Sequence, residues 1–537
     1  MEKLYNNIVL QDDFKDKMSN PNDVPYLKNP PEVINVTVGR QLFVDDFLID
    51  STDLKAEYHK AKKFDGNPVL FPETEWETKD CLPVACPKSG GVWYDEVNKK
   101  YKMWYEAGWL SQLCYAESDD GINWVRPNLH LEEGTNKICL YPKDVTFQED
   151  PLVALQPDSC TFFIDYDAPK EERYKMAHHG PRWDAGGVVG TSEDGIHWKI
   201  HGLTGEGGDR CSAFYNPFRK KWVFSIRDAW TTGDPYFYTG RTRAYFESDS
   251  FTQNIQWTGK EKKYWLAADK DDKLDPYLYS TTTIKGLDDN TRKSACPGLY
   301  NVDAVGYESI MLGMFEIHQG LNNNDFGDSG APKITELIPM YSRDGYNFSR
   351  PNRDPLIWAS RYRGAWDRGY VQSVGGGCII HGDELWIYYS AFAGDESRGR
   401  NAYGKTFAEM DDGLTGMYCG GATGIAILRR DGFVSMNGKG TLLTRKLEFS
   451  GKASMGINAI GKVTAEILNE DGKLIAKSKE FSGDSTNYTL DFDGFDISSL
   501  NGKVIKIKFT VDGKLFSFGF ADKNGDYGGA HGAGIAK

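Results

Sequence analysis

Four acidic residues stand where a strand would ordinarily begin with something apolar: Asp158 in QPDSCTFFID, Asp209 in GGDRCSAFYN, and Asp303 and Glu308 in NVDAVGYESIMLG. Carboxyl groups converging from neighbouring strands suit hydrolysis of a glycosidic bond. That reaction needs one carboxyl held protonated, to give its proton to the leaving oxygen. It needs a second, ionised, to attack the anomeric carbon or to activate water. Glu308 fits the acid, because its neighbours in GYESIMLGMF are apolar and burial favours a neutral carboxyl. Asp209, with Arg210 beside it, fits the nucleophile or base, and Asp158 an orienting carboxylate; exchanging those two roles satisfies the same demands. For each acid alone, a strand-end cap or an ion pair to a neighbouring strand is the competing role.

Binding residues are expected at the same strand ends. Lys88 in CPKSGG, Arg210, Arg227 in FSIRD, Asp303, and Trp366 with Asp367 in AWDRGYVQSVGGG are the candidates. His178 joins them, and His318 ends a comparable strand. The neighbours His178 and His179 point to opposite sides of a strand, so they cannot both ligate one metal, and a hydrogen-bonding or packing role is expected. Asp46 in QLFVDDFLID interrupts an apolar strand and is a further candidate, against a strand-end ion pair. No GxSxG, P-loop, GxGxxG, HExxH or EF-hand pattern occurs, which sets aside serine hydrolases, nucleotide enzymes and the common metalloproteases. Neither an organic cofactor nor a metal is called for.

The elements that must position these residues repeat. GGVWYDEVNKKYKMWYEAG (90 to 108), TFFIDYDAPKEERYKMAHHG (161 to 180), SAFYNPFRKKWVFSIRD (212 to 228) and GGCIIHGDELWIYYSAFAG (376 to 394) each read as strand, polar turn and aromatic-rich strand. AVGYESIMLGMFEIHQG (304 to 320) is a fifth, without the long turn. An Asp-Gly turn follows several of them: SDDGINW, SEDGIHW, SRDGYNF and RRDGFVS, with a degraded version in ESDSFTQNIQW. Asp-Gly supplies the positive φ of a tight turn, and the following aromatic opens the next strand. Strand pair, third strand, turn and fourth strand is the pattern of a propeller blade, and the fold class expected is all-β, a five-bladed β-propeller over 37–440. A large β-sandwich with unrelated hairpins would not need the same turn in the same place each time. Residues 1–36, with prolines at 21, 25, 30 and 31, read as an extended arm. Residues 441–537, with NEDGK and VDGK turns, read as a small antiparallel β-sandwich.

Composition narrows the partners. The 537 residues carry a net charge of −14, so nucleic acid and anionic membranes, which need a basic surface, are not expected partners. A glycoside or oligosaccharide is. The first residues, MEKLYNNIVLQDDFKDKM, lack the apolar core of a signal peptide, and a cytoplasmic location is expected. Nine cysteines without CxxC spacing indicate neither a disulfide framework nor a zinc site.

GRQLFVDDFLID, SGGVWYDEVNKKYKMWY, SEDGIHW, FYNPFRKKWVFSIR and GIAILRRDGFVS, followed by a segment containing FSFGF, together resemble bacterial proteins related to glycoside hydrolase family 32, and more distantly the propellers of families 43 and 143. The resemblance spans about residues 37 to 520. It implies a five-bladed propeller joined to a β-sandwich and exo-acting release of a terminal sugar, fructoside-like or keto-sugar-like. The WMNDPNG and EC motifs of family 32 are missing, and the Arg353-Asp354-Pro355 string falls in a Pro-rich connector, where it reads as a turn. Through family 143 the resemblance implies an acidic keto sugar, whose carboxylate Arg210 and Arg227 would meet. Two other readings fit parts of the pattern: a sialidase-like or lyase propeller, whose Asp-box turns are one residue longer than these, and a sugar-binding propeller without turnover.

Overall fold

The computed structural model describes residues 1–138, 159–179, 186–229, 233–276, 295–320, 332–394 and 416–536. Among them are only two α-helices, each of one turn, Pro25–Lys28 and Glu75–Thr78; nearly everything else regular is strand. No helix is long and apolar enough to cross a membrane.

Five sheets follow one another along the chain as the blades of a propeller. Blade one is built from Val92–Asp95, with Ala85–Cys86 in line, then Lys100–Ala107 and Gln112–Ser118. Blade two is Ser159–Ile164, Tyr174–His179, Gly186–Ser192 and Lys199–Glu206, and blade three Ser212–Asn216, Lys221–Asp228, Phe237–Ser248 and Lys263–Asp269. Blade four is Gly298–Glu308, Ile310–His318 and Thr335–Ser342. Blade five is Gly369–Gln372 with Ile379–His381, then Glu384–Phe392 and Gly421–Arg429. Its outer edge is supplied by Lys62–Lys63 from far upstream, which ties the two ends of the ring together.

The Asp-Gly turns stitch neighbouring blades. In the first, Asp120 Oδ1 accepts the backbone N–H of Ile122 and Asn123 at 2.9 and 2.7 Å, and Ser118 Oγ accepts that of Gly121 at 2.9 Å. Asp194 and Asp344 repeat the pattern with Ile196 and His197, and with Tyr346 and Asn347. Each turn so fixed presents a carbonyl to the blade before it in the ring. Gly121 accepts from Tyr388 Oη of blade five, Gly195 from Trp104 Nε1 of blade one, and Tyr346 from Trp265 Nε1 of blade three. The aromatic-rich second and fourth strands therefore supply the donors that the turns require.

The RRDGFVS turn departs from this pattern, and the departure joins the two halves of the molecule. Its Asp431 is fully buried and bonds to Arg40 Nη1 at 3.0 Å, Tyr307 Oη at 2.5 Å and Ser517 Oγ at 2.6 Å. Ser517 belongs to a ten-stranded sheet whose spine is Ser454–Asn469 against Ile505–Ala521. Ile34–Asn35, Gln41–Leu42, Ile49–Thr52 and Lys55–Tyr58 add to this sheet from the N-terminal side. Conversely, Ala530–His531 and Ile535–Ala536 leave it to pair with blades four and five. The segments expected as arm, propeller and sandwich thus exchange strands. Removing one member of a buried, hydrogen-bonded ion pair leaves the other charge stranded. Asp431→Ala is accordingly expected to lower unfolding stability by about 3–5 kcal/mol, read from urea denaturation.

Candidate functional site

Antiparallel pairing brings the start of each inner strand beside the end of its partner. Gly298 pairs with His318, Ser159 with His179, and Ala85 with Ala107. These ends line one mouth of the central channel. Lys88, His178, Arg210, Arg227 and Asp303 lie at or just below it, and of the acids expected as catalytic Asp209 is there too. Asp158 lies outside the described residues.

Glu308 is not there, and this corrects the sequence reading. It was placed near the head of its strand, but the strand begins at Gly298 and Glu308 is its last residue, turning with φ +48° into Ile310–His318 at the opposite end. Its carboxylate accepts from Arg40 N at 3.0 Å and Arg430 Nη2 at 3.1 Å. Two arginines, not an apolar wall, surround it, and the reason for making it the proton donor disappears.

A different glutamate has that environment. Glu316, in the otherwise apolar strand IMLGMFEIH, is wholly buried, and burial, reinforced by the charge of Asp303, pushes its carboxyl up to about 7 in spite of Arg210 and Arg243. Its Oε2 accepts from the backbone N–H of Ser373 at 3.3 Å. The Ser373 hydroxyl bonds to Asp303 Oδ2, which also accepts from Ser89 Oγ at 3.1 Å and Asn301 Nδ2 at 3.0 Å. Burial raises Asp303 as well, opposed by these hydroxyls and by Arg210. Residues from blades one, four and five thus meet below the mouth in one polar cluster. Arg210, with φ +59°, turns its carbonyl to Arg243 Nη1 at 2.7 Å, and burial holds the Arg243 guanidinium down to about 10.

Higher in the mouth, Asp209 is 29% exposed and forms an ion pair with Arg227. Burial, reinforced by the positive charges of Arg241, Lys333 and Arg227, keeps the His318 imidazole neutral. Beside it is a cationic and aromatic wall, Tyr300 stacking on His318 at 5.7 Å. Lys88 pairs with Glu106 and lies 4.0 Å over the Trp109 ring, which stacks on Tyr418 at 4.1 Å. Lys333 Nζ donates to Tyr300 Oη at 2.9 Å and Tyr418 Oη at 3.2 Å.

Other expected residues have structural duties. Asp367 accepts from Lys63 Nζ and Ser360 Oγ at 2.6 Å each, and Trp366 packs on Tyr389 at 5.4 Å, so this pair secures the strand that closes the ring. Asp46 is exposed, on a 3-10 turn far along the chain from any inner strand; the buried ion pair there belongs to Asp45 with Arg343, at 2.8 Å. His179, driven down to about 3 by burial, stacks on Trp257 at 6.2 Å between blades two and three. Arg353 of the Arg-Asp-Pro string bonds to Asp269 at 2.9 Å and Asp272 at 2.8 Å, bracing blade three against the connector. Eight cysteines are described, and no disulfide joins any two of them. No cluster of three metal-ligating side chains occurs among the described residues.

No protein-family model matches the chain, and no curated protein does. Solved structures similar to it include a glycoside hydrolase family 43 arabinoxylan arabinofuranohydrolase from Bacillus subtilis in complex with cellotetraose. That match has 10% identity and a TM-score of 0.38, covering 87% of this chain and 99% of that one. A family 32 β-fructofuranosidase from Bombyx mori has 10% identity and a TM-score of 0.35, over 89% and 94%. The catalytic domain of a family 62 α-L-arabinofuranosidase from Coprinopsis cinerea has 9% identity and a TM-score of 0.36, over 69% and 97%.

Proposed function

We propose that this protein is a glycoside hydrolase that releases a terminal sugar at the mouth of the propeller, with Glu316 as proton donor and Asp209 as nucleophile or base. The observation that carries the reading is the contrast between two carboxyls at one end of the channel. One is buried with its proton held to about 7, the other is accessible and matched by a guanidinium. Glu316 gives its proton to the glycosidic oxygen as the C–O bond breaks. Asp209 meets the anomeric carbon directly, or takes a proton from the water that does. Asp303 touches neither bond; it is a positioning residue whose charge adds to burial in keeping Glu316 protonated.

Two features support exo-action on an acidic sugar. The hydrogen-bonded cluster of Ser89, Asn301, Asp303 and Ser373 joins blades one, four and five below the mouth, a floor that suits entry of a chain end. Arg227, Arg241 and Lys333 together suit a sugar carboxylate. A panel of neutral and uronic or keto-acid glycosides, assayed for reducing-sugar release by the whole chain, tests this. Turnover is expected on carboxylated members, and Arg241→Ala is expected to raise KM for these about tenfold with kcat little changed. Binding of sugars with no glycoside cleaved would favour the sugar-binding reading instead.

A further inference from the structure

The far end of the channel holds a second cavity, of about 270 Å³, remote from the mouth. The glycine-rich segment 529–534 lies across this end and forms one wall. It can do so because its glycines admit backbones that a side chain would push apart. A Cβ at Gly532, where φ is +62°, would lie 2.4 Å from the Cys378 carbonyl oxygen, and one at Gly534 2.6 Å from that of Tyr94. The segment is held by Gly532 N to Gly306 O at 2.9 Å and by Tyr94 N to Ala533 O at 2.9 Å.

The remaining walls combine aromatic surface with acceptors. Trp93, Tyr166 and Tyr215 contribute rings, Tyr166 being 43% exposed. Glu96, Asp165 and Asp167 contribute carboxylates, Asp165 pairing with Lys175 at 3.3 Å, and no lysine or arginine is among the described residues that line the cavity. The Trp93 indole N–H is buried and has no hydrogen-bond partner. Flat rings that cover C–H faces, beside acceptor-only carboxylates, match a polyhydroxylated ring that is rich in O–H donors. Three carboxylates against the single ammonium of Lys175, which pairs with Asp165, repel an acidic one.

We propose that this cavity is a second carbohydrate site, for a neutral sugar residue, at the end of the propeller opposite the hydrolytic mouth. The choice of a sugar over another polyol rests on the glycoside reading; the cavity and its lining do not. One enzyme would then hold a neutral stretch of a polysaccharide at one end and cut an acidic terminus at the other.

Calorimetric titration of the full chain carrying Glu316→Gln, so that nothing is consumed, tests this with cellotetraose, α-1,5-arabinotetraose, tetragalacturonate and choline. At least one neutral tetrasaccharide is expected to bind. Tyr166→Ala and Asp167→Ala, both at exposed positions, should each weaken it about tenfold, and Arg241→Ala should leave it unchanged. The proposal fails if neither neutral tetrasaccharide binds, if both variants bind as before, or if the affinity lost on Tyr166→Ala is for tetragalacturonate or choline. Binding here with no glycoside cleaved by the unmodified protein overturns the hydrolase reading alone; cleavage without binding overturns this one alone.

Discussion

Glu316→Gln is expected to lower kcat/KM on unactivated glycosides by about 10²–10⁴, the usual contribution of a positioned general acid. The deficit should be smallest on aryl glycosides with acidic phenols, whose leaving groups need no proton. A merely structural glutamate would slow all substrates alike. The same carboxyl predicts an unusual pH dependence. Burial raises it from an ordinary 4.5 to about 7, so the folded state favours the proton. Activity should therefore fall as pH rises through 7. Stability carries the same sign: the contribution of this group is complete below 4.5 and is lost as pH rises through 7, a difference of about 3 kcal/mol. Glutamine mimics the protonated form and cannot ionise. The variant should thus be nearly inactive yet, above pH 8, more stable than the unmodified protein, and urea titrations at pH 5 and pH 8.5 would show it. An equal response of both proteins to pH would remove Glu316 from the role.

How much of this the sequence disclosed depends on the range of the interaction. The five blades were legible because each repeats its own local chemistry: the Asp-Gly turns at 120, 194 and 344 are closed by residues two and three positions away. The turn at 431 looks the same in the sequence but is bound by Arg40, Tyr307 and Ser517, partners that only the tertiary fold brings near. The mouth was legible in part: Lys88, Asp209 and Arg210 do lie just ahead of inner strands and Arg227 near the end of the second strand of blade three, whereas Asp303 lies in mid-strand. The acid was not. Its place hinges on where blade four begins, and the two-residue hairpin at Glu308 and Ser309 hid a strand that starts ten residues earlier. A signal was present: Glu316 is the only acid in IMLGMFEIH, and a lone carboxyl in a nine-residue buried strand must be paired or protonated. Asp367 misled for the opposite reason, because its partner Lys63 lies 304 residues away.

The second large effect concerns Asp209, whose removal should separate the two ways of completing the reaction. Asp209→Ala is expected to cost about 10³ in kcat on natural glycosides, while Arg227, relieved of its partner, stays at the mouth and still binds substrate. KM should change little. Azide then takes the place of the missing carboxylate. If Asp209 attacks the anomeric carbon, the unmodified enzyme retains configuration through a glycosyl-enzyme intermediate, and azide adds to the variant from the vacated side to give a glycosyl azide of inverted configuration. If Asp209 activates water, the unmodified enzyme itself inverts. Nuclear magnetic resonance of the first product formed distinguishes these before mutarotation. The guanidinium supplies an internal control. Arg227→Ala leaves Asp209 in place but withdraws the charge that matches it, and the double variant should be no slower than Asp209→Ala alone if the arginine acts on catalysis only through that carboxylate. Full additivity of the two losses would show that Arg227 also serves the substrate directly, as its place beside Arg241 and Lys333 around His318 suggests.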